Sequence, residues 1–365
     1  MTSRRSFLKT TALGPLVGSA LLPITATPAQ SSAVAPDTTP VSALTSAVTP
    51  ALKPPRLKPG DTIGLCCPAA PAYSREQVQI TQESLAALGF KTKLSAHFYD
   101  RYGYLGGRDT DRAADLNAHF ADPAVNAVMA MHGGWGCARI LPLLDYDLIR
   151  KNPKILLGYS DITALLLGIN AKTGLVTMHG PEGAATWNEF TVDWLRRVTM
   201  AGEAVTFTNP ADKGKLLAQT DDRISTLRPG IARGRLLGGN LTVLCHIVGS
   251  PYLPDFQNTI LFIEDTHEDV YSMDRMLTHL ALAGVLGKIS GFVFGKCTRC
   301  DASNGGYGSL TLEDVFADHI TPLGIPAFTG AMIGHIKDKF TVPLGIEAEI
   351  NAATGSIRLL EGAVL

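Results

Sequence analysis

The stretch from Lys154 to Gly174 constrains the fold more than any other: Lys154-Ile-Leu-Leu-Gly158-Tyr159-Ser160-Asp161-Ile162-Thr163, followed by an Ala/Leu-rich run. After Asn152-Pro153 a short apolar segment reads as a buried strand, and Gly158 marks a turn. The run from Thr163 has helical spacing up to Gly174, a residue suited to closing a helix. Ser160 falls on the turn. A hydroxyl there stands off the sheet edge beside the free N–H groups of a helix N-terminus, which favour developing negative charge. This is the geometry of a nucleophile elbow, although the usual G-x-S-x-G has a second glycine where this chain has Ile162. The same residues also suit plain helix capping, so local pattern leaves both readings open.

Upstream the pattern alternates. Asp61 to Pro68 reads as a buried strand, Glu76 to Leu88 as a helix ended by Gly89, and Lys91 to Tyr99 as a second strand. Asp111 to Phe120 is helical, Val125 to Met131 is a strand running into His132-Gly133-Gly134-Trp135-Gly136, and Leu141 to Asn152 is helical again. Strands alternating with helices imply a mostly parallel sheet covered on both faces, with ligands at the carboxyl ends of the strands. The Gly133-Gly134 turn and Ser160 both fall at such ends. Beyond Gly174 the pattern loosens, with Asn209-Pro210 and Arg228-Pro229-Gly230 as breakers.

The second half reads as Gly238-Gly239-Asn240 opening a helix over 241–248, a strand Thr259 to Asp265, a helix Tyr271 to Ala283, and a strand Gly291 to Gly295. Segments 326–334, 343–350 and 357–360 follow. The expected architecture is α/β: an N-terminal, mostly parallel, flavodoxin- or Rossmann-like sheet domain over 57–190, an inter-domain linker over 191–230, and a C-terminal mixed, more antiparallel β-rich domain over 231–365.

The N-terminus carries Ser3-Arg4-Arg5-Ser6-Phe7-Leu8-Lys9, an apolar run from Thr11 to Leu22, and Thr27-Pro28-Ala29. Paired arginines before a short apolar run read as a twin-arginine signal peptide over 1–29. The run is shorter than the roughly 20 residues needed to span a bilayer, so a periplasmic product without stable membrane insertion is expected. Residues 30–56, rich in Ser, Ala, Thr, Val and Pro, read as a disordered linker. The formal net charge is −1, and cleavage after Ala29 removes three basic and no acidic residues, leaving −4. Nothing in that balance suits a nucleic acid or an anionic membrane surface. Of six cysteines, Cys66, Cys67, Cys137 and Cys245 lie in apolar surroundings and read as buried free thiols. Cys297-x-x-Cys300 is a redox or half-metal motif, weak evidence for zinc without a second pair.

A serine nucleophile needs a base and a carboxylate that orients it. Glu264 is the first polar group where the apolar strand Leu261-Phe262-Ile263 emerges. His335 ends the apolar run Gly330-Ala-Met-Ile-Gly334. His119, His246 and His279 fall in helical patterns, His179 precedes a Gly-Pro turn that could line a cleft, and His267 reads as a solvated loop residue.

These residues carry a resemblance. Asp145 to Thr163, Thr173-Gly174-Leu175 with His179-Gly180-Pro181, Gly238-Gly239-Asn240-Leu241, Glu264-Asp265 with Tyr271 and Asp274-Arg275-Met276-Leu277, and Gly334-His335 with Pro343-Leu344-Gly345 are similar to the L,D-carboxypeptidase family, the muramoyl-tetrapeptide carboxypeptidases, from about Leu57 to the end. The resemblance implies Ser160 as nucleophile, His335 as general base and Glu264 as its orienter. It also implies an oxyanion hole of backbone N–H groups at Asp161 and Gly134. The implied reaction is release of terminal D-alanine from a peptidoglycan tetrapeptide, without metal or cofactor, and family members are often homodimers. Two positions depart from the family: His132 before the Gly-Gly turn and Ser272 after Tyr271 stand where arginines are usual, and neither pairs bidentately with a carboxylate. Alternative readings are the same family's immunity-type hydrolase of acylated nucleotide-peptide toxins, with Trp135 as a stacking candidate, and a non-catalytic periplasmic peptide-binding protein.

Overall fold

The computed structural model describes residues 51–302 and 306–365; the expected signal peptide and residues 30–50 of the tether lie outside the described residues. The first sheet begins with β1 (Thr62–Cys66), β2 (Lys91–Leu94), β3 (Ala127–Ala130), β4 (Ile155–Gly158) and β5 (Thr177–His179). All are paired in parallel. β1, β3 and β4 are apolar nearly throughout because helices cover both faces. The second sheet contains β6 (Thr206–Phe207), β7 (Ser225–Arg228), β8 (Ile231–Asn240), β9 (Thr259–Thr266), β10 (Gly291–Thr298) and β11 (Ala327–Thr329). The chain then returns to the first sheet as β12 (Val342–Leu344), antiparallel to β5, before β13 (Glu347–Asn351) and β14 (Ser356–Leu359) complete the second. The orders are β12-β5-β4-β3-β1-β2 and β6-β14-β13-β8-β9-β10-β11-β7. The core of the second sheet, β8 to β11, is parallel, and antiparallel pairs flank it on both sides.

One helix joins the two layers. Thr163–Thr173 is buried at nearly every position, so it is apolar all round rather than striped. Its first residue meets the second sheet: the Asn240 N–H donates to Thr163 Oγ1 at 3.0 Å. A Cβ on Gly239, whose φ is +140°, would fall 2.6 Å from that same oxygen. Glycine is required here because the Thr163 side chain packs directly on the backbone of the second sheet. Both sheets lie in the single compact unit Thr49–Leu365.

Three stretches differ from expectation. Residues 191–230, read as a linker, hold part of the helix Glu189–Leu195 and supply both outer strands of the second sheet, β6 and β7. Edge strands of two and four residues are too short to carry an alternation that can be read. The tail of the tether is ordered: Leu52 N–H donates to the Gly174 carbonyl at 2.9 Å and Arg56 Nε to the Leu365 carbonyl at 2.9 Å. Its prolines hide that pairing from any periodicity. Leu141 to Asn152 is two pieces, Leu141–Leu143 and Tyr146–Lys151, because the Asp145 side chain caps the second by accepting from Leu148 N–H at 2.9 Å. Among the cysteines, Cys297 and Cys300 form a disulfide at the end of β10, and Cys66, Cys67, Cys137 and Cys245 are buried and free. Among the described residues no helix is long and apolar enough to cross a membrane.

Candidate active site

Four chain segments meet where the two sheets face each other. β4 ends at Gly158, Tyr159 continues extended, and Ser160 turns into the left-handed region at φ +60° before a single helical turn leads into Thr163–Thr173. A non-glycine residue costs about 1–2 kcal/mol there. Such strain persists only where the surroundings enforce it, as at a nucleophile elbow. Gly133, at the carboxyl end of β3, lets the next turn close in: a Cβ there would fall 2.6 Å from Ser160 Cβ and 2.8 Å from its Oγ. Asp161 fixes that turn from below, its Oδ2 accepting from Cys137 N–H at 2.8 Å. Asp161 is thus a structural carboxylate, and burial pushes its carboxyl above the ordinary range.

Glu264 and His335 arrive from the second sheet. Glu264 is fully buried near the end of β9, and its Oε2 lies 2.7 Å from His335 Nδ1. Gly334, at φ +124°, allows this approach, since a Cβ would sit 2.8 Å from Glu264 Oε2. The His335 carbonyl accepts from Thr298 Oγ1 at 3.0 Å, so the disulfide loop holds the backbone of this histidine. The Tyr159 ring meets the imidazole edge-on at 4.9 Å. On the other side His179 Nε2 stands 3.7 Å from Glu264 Oε1, beyond hydrogen-bond reach.

The electrostatics follow from burial and pairing. Burial by itself would raise the Glu264 carboxyl, yet His179 and His335 hold it down at about 2. Burial would lower the His335 imidazole, but the hydrogen bond and charge of Glu264 outweigh it and the net shift is upward. The pair is therefore an ionised carboxylate holding one ring nitrogen of a histidine, leaving Nε2 for the cavity.

That cavity, about 270 Å³, is lined by Ser160, His335, Tyr159, Gly133 and Gly134, with Tyr73 and Trp135 at its rim. The sequence-predicted Ser160, His335 and Gly134 thus share one space, with Glu264 behind His335 and Asp161 beneath Ser160. No hydrogen bond joins Ser160 Oγ to His335 among the described residues; such contacts are often loose until substrate binds. Sequence reading missed Glu182, 8% exposed and part of the cavity wall, and Lys339, 4% exposed, with its Nζ 4.0 Å from the Tyr159 ring centre. Glu182 follows β5 through Gly180-Pro181, and the rule that ligands gather at strand carboxyl ends is the signal that could have found it. Four other histidines lie elsewhere: His119 is buried against Leu65 at 3.2 Å, and His246, His267 and His279 are exposed.

Comparison with known proteins gives the family. Residues 63–180 match the LD-carboxypeptidase N-terminal domain and residues 233–350 the LD-carboxypeptidase C-terminal domain. The "Probable murein peptide carboxypeptidase" of Bacillus subtilis is 37% identical over 306 residues, 82% of this chain and 92% of that protein. The microcin C7 self-immunity protein MccF of Escherichia coli is 32% identical over 327 residues, 83% of this chain and 94% of that protein. Among solved structures, apo MccF superposes with a TM-score of 0.78 at 28% identity, covering 86% of this chain and 100% of that one. The muramoyltetrapeptide carboxypeptidase of Oxalobacter formigenes superposes with a TM-score of 0.69 at 27% identity, covering 82% and 97%. With both domains matched and a murein peptide carboxypeptidase relative spanning most of its length, the chain belongs to the LD-carboxypeptidase family of serine carboxypeptidases.

Proposed function

We propose that the protein releases the C-terminal D-alanine from peptidoglycan tetrapeptides through Ser160, His335 and Glu264. The observation that carries this reading is the 2.7 Å contact of His335 Nδ1 with Glu264 Oε2, beside a cavity that Ser160 also lines. His335 Nε2 takes the Ser160 proton as Oγ attacks the scissile carbonyl. The tetrahedral oxyanion is held by the N–H groups of Asp161 and Gly134. Collapse breaks the C–N bond, and His335 returns the proton to the departing D-alanine amine. A water then attacks the acyl-serine, giving its proton to His335, and the ester bond breaks as Ser160 recovers the proton. Glu264 fixes the tautomer and stabilises the imidazolium at both steps.

Ser160→Ala removes the nucleophile, and turnover of a defined L,D-linked tetrapeptide is expected to fall at least 10³-fold with the fold intact by circular dichroism. Undiminished D-alanine release by that variant refutes the mechanism.

A second reading, hydrolysis of acylated nucleotide-like peptides, is favoured by one observation. Trp135 stands 64% exposed at the cavity rim, a face on which a base can stack. Side-by-side turnover of a tetrapeptide and an aminoacyl-nucleotide amide separates the two. The site of action in this proposal is the periplasm, reached by twin-arginine export; Arg4-Arg5 and the Cys297–Cys300 disulfide, which persists in oxidising compartments, support it. Changing Arg4 and Arg5 to lysine and fractionating the cells tests this, and an unchanged exported fraction defeats it.

A further inference from the structure

Two polar atoms of the cavity wall have no use in the mechanism above. Glu182 is 8% exposed and its Oε2 is buried with no hydrogen-bond partner, while the carboxyl is met by the Gly133 N–H. His132 Nε2 is likewise buried and unpartnered. Both residues line the cavity that holds Ser160 and His335. Orphaned buried polar atoms are costly, and two of them in the wall of one cavity mark a place where an arriving polar group can supply the missing partner.

The chemistry of the substrate says what that is. A carboxypeptidase's leaving residue carries a free carboxylate directly beside the scissile bond. Once the scissile carbonyl sits at Ser160, that carboxylate must lie within the same cavity. No arginine or lysine is among the described residues lining it, and Lys339 lies behind the Tyr159 ring. The reader must be an uncharged donor, and the two orphaned atoms are placed to supply it. We propose that Glu182, as an O–H donor, and His132, through its Nε2–H, together read the free C-terminal carboxylate of the substrate. This assignment rests on the carboxypeptidase reading.

The local electrostatics agree. Burial raises the Glu182 carboxyl to about 8, although Lys339, His335 and the Gly133 N–H all pull it down. Burial lowers the His132 imidazole. Burial thus favours the uncharged form of both groups, in which an arriving carboxylate meets donors rather than a like charge. Tyr159 is the other titratable group beside Glu182, and burial pushes its phenol up as well, so it too stays neutral. A protonated carboxyl donating to a carboxylate makes a short, charge-assisted hydrogen bond. The two residues are specificity determinants, and neither moves a proton in the reaction.

The test uses the full chain carrying Ser160→Ala, so that binding is read without turnover, and calorimetry with a tetrapeptide and with its C-terminal carboxamide. The free acid is expected to bind at least tenfold more tightly. Adding Glu182→Ala or His132→Ala should bring the two ligands within about threefold of each other, with unchanged circular dichroism. Glu182→Gln, which keeps an N–H donor, should retain most of the preference. Retention of the full preference in Glu182→Ala overturns the assignment. So does loss in Glu182→Gln as deep as in Glu182→Ala, which marks a charged Glu182 that reads an ammonium group. A Ser160→Ala protein that binds both ligands equally, or neither, also overturns it. Wild-type turnover of the tetrapeptide, measured alongside, tells whether the murein reading falls with it.

Discussion

Gly334→Ala is the sharpest perturbation of the His335–Glu264 pair. The residue sits at φ +124°, where an L side chain costs roughly 1–3 kcal/mol. The added Cβ would meet Glu264 Oε2 at 2.8 Å, Glu264 Cβ at 3.0 Å and the Lys296 carbonyl at 3.2 Å. Glu264 is enclosed and has no exposed space into which to retreat. Relief therefore comes from turning its carboxylate, which breaks the 2.7 Å bond to His335 Nδ1. An imidazole without its orienting carboxylate loses about 10²–10⁴ in rate. The backbone strain lowers the melting temperature by about 2–4 °C per kcal/mol. Gly284→Ala is the control: its φ is +72° and no atom lies within 4 Å of the added carbon, so it carries strain of about 1–2 kcal/mol but no contact with the site. Differential scanning calorimetry and D-alanine release on both variants separate the two effects. A folded Gly334→Ala protein working within threefold of wild type, or an equal loss of rate in Gly284→Ala, refutes the reasoning.

Because Glu264 holds the His335 imidazole above its ordinary value, kcat/KM should rise with pH through a limb displaced upward from that of a free imidazole. Glu264→Gln should lower the rate and move that limb to more acid pH, and a limb that stays put contradicts the pairing. Glu264 itself is held at about 2 in the fold, below its unfolded value, so its share of stability, roughly 3 kcal/mol, is present above about pH 4.5 and lost as pH falls toward 2. Thermal melts across that range should show a shallower acid loss in Glu264→Gln than in wild type. Thr298→Val removes the hydroxyl that holds the His335 carbonyl at 3.0 Å. A several-fold fall in kcat is expected, with a similar fall when a dithiol reduces Cys297–Cys300 to two thiols in the wild type; equal rates in all forms would show that the loop does not hold the histidine.

Much of the first sheet was legible because its strands are buried on both faces and its helices are closed by recognisable caps. The run Ile155-Leu156-Leu157 cannot be anything but interior, and Gly174 at φ +76° ends the following helix as its position suggested. What could not be read is pairing between segments far apart in the chain. β12 is three apolar residues after a loop, and nothing local says that it crosses back to lie beside β5. β6 is two residues and β7 a short, mostly exposed edge, and the bridge of Leu52 to Leu175 joins segments far apart in the chain. Long-range partners of this kind leave no periodic trace.

The site was legible in so far as its residues sit at the ends of apolar strands, which is how Ser160, Glu264 and His335 stood out. Glu182 and Lys339 did not, because a single charged residue in a loop reads as solvated, and only the fold reveals that each is nearly enclosed. Their burial is the physical consequence of the same convergence: strand ends and the Gly133 turn crowd into one place, and Glu182, Glu264 and Lys339 are drawn out of water together while Trp135 stays exposed at the rim. Asp161 illustrates the reverse case. Beside a serine it invites a catalytic role, yet its carboxylate is spent on the Cys137 N–H at 2.8 Å, and only its backbone N–H is left to face a reacting oxygen. A site assembled this way has a neutral wall opposite an ionised pair, because His335 compensates Glu264 while nothing within hydrogen-bond reach compensates Glu182 Oε2. On the proposed reading, that asymmetry lets donors hold the terminal carboxylate while, one bond away, Ser160 attacks with His335 taking its proton.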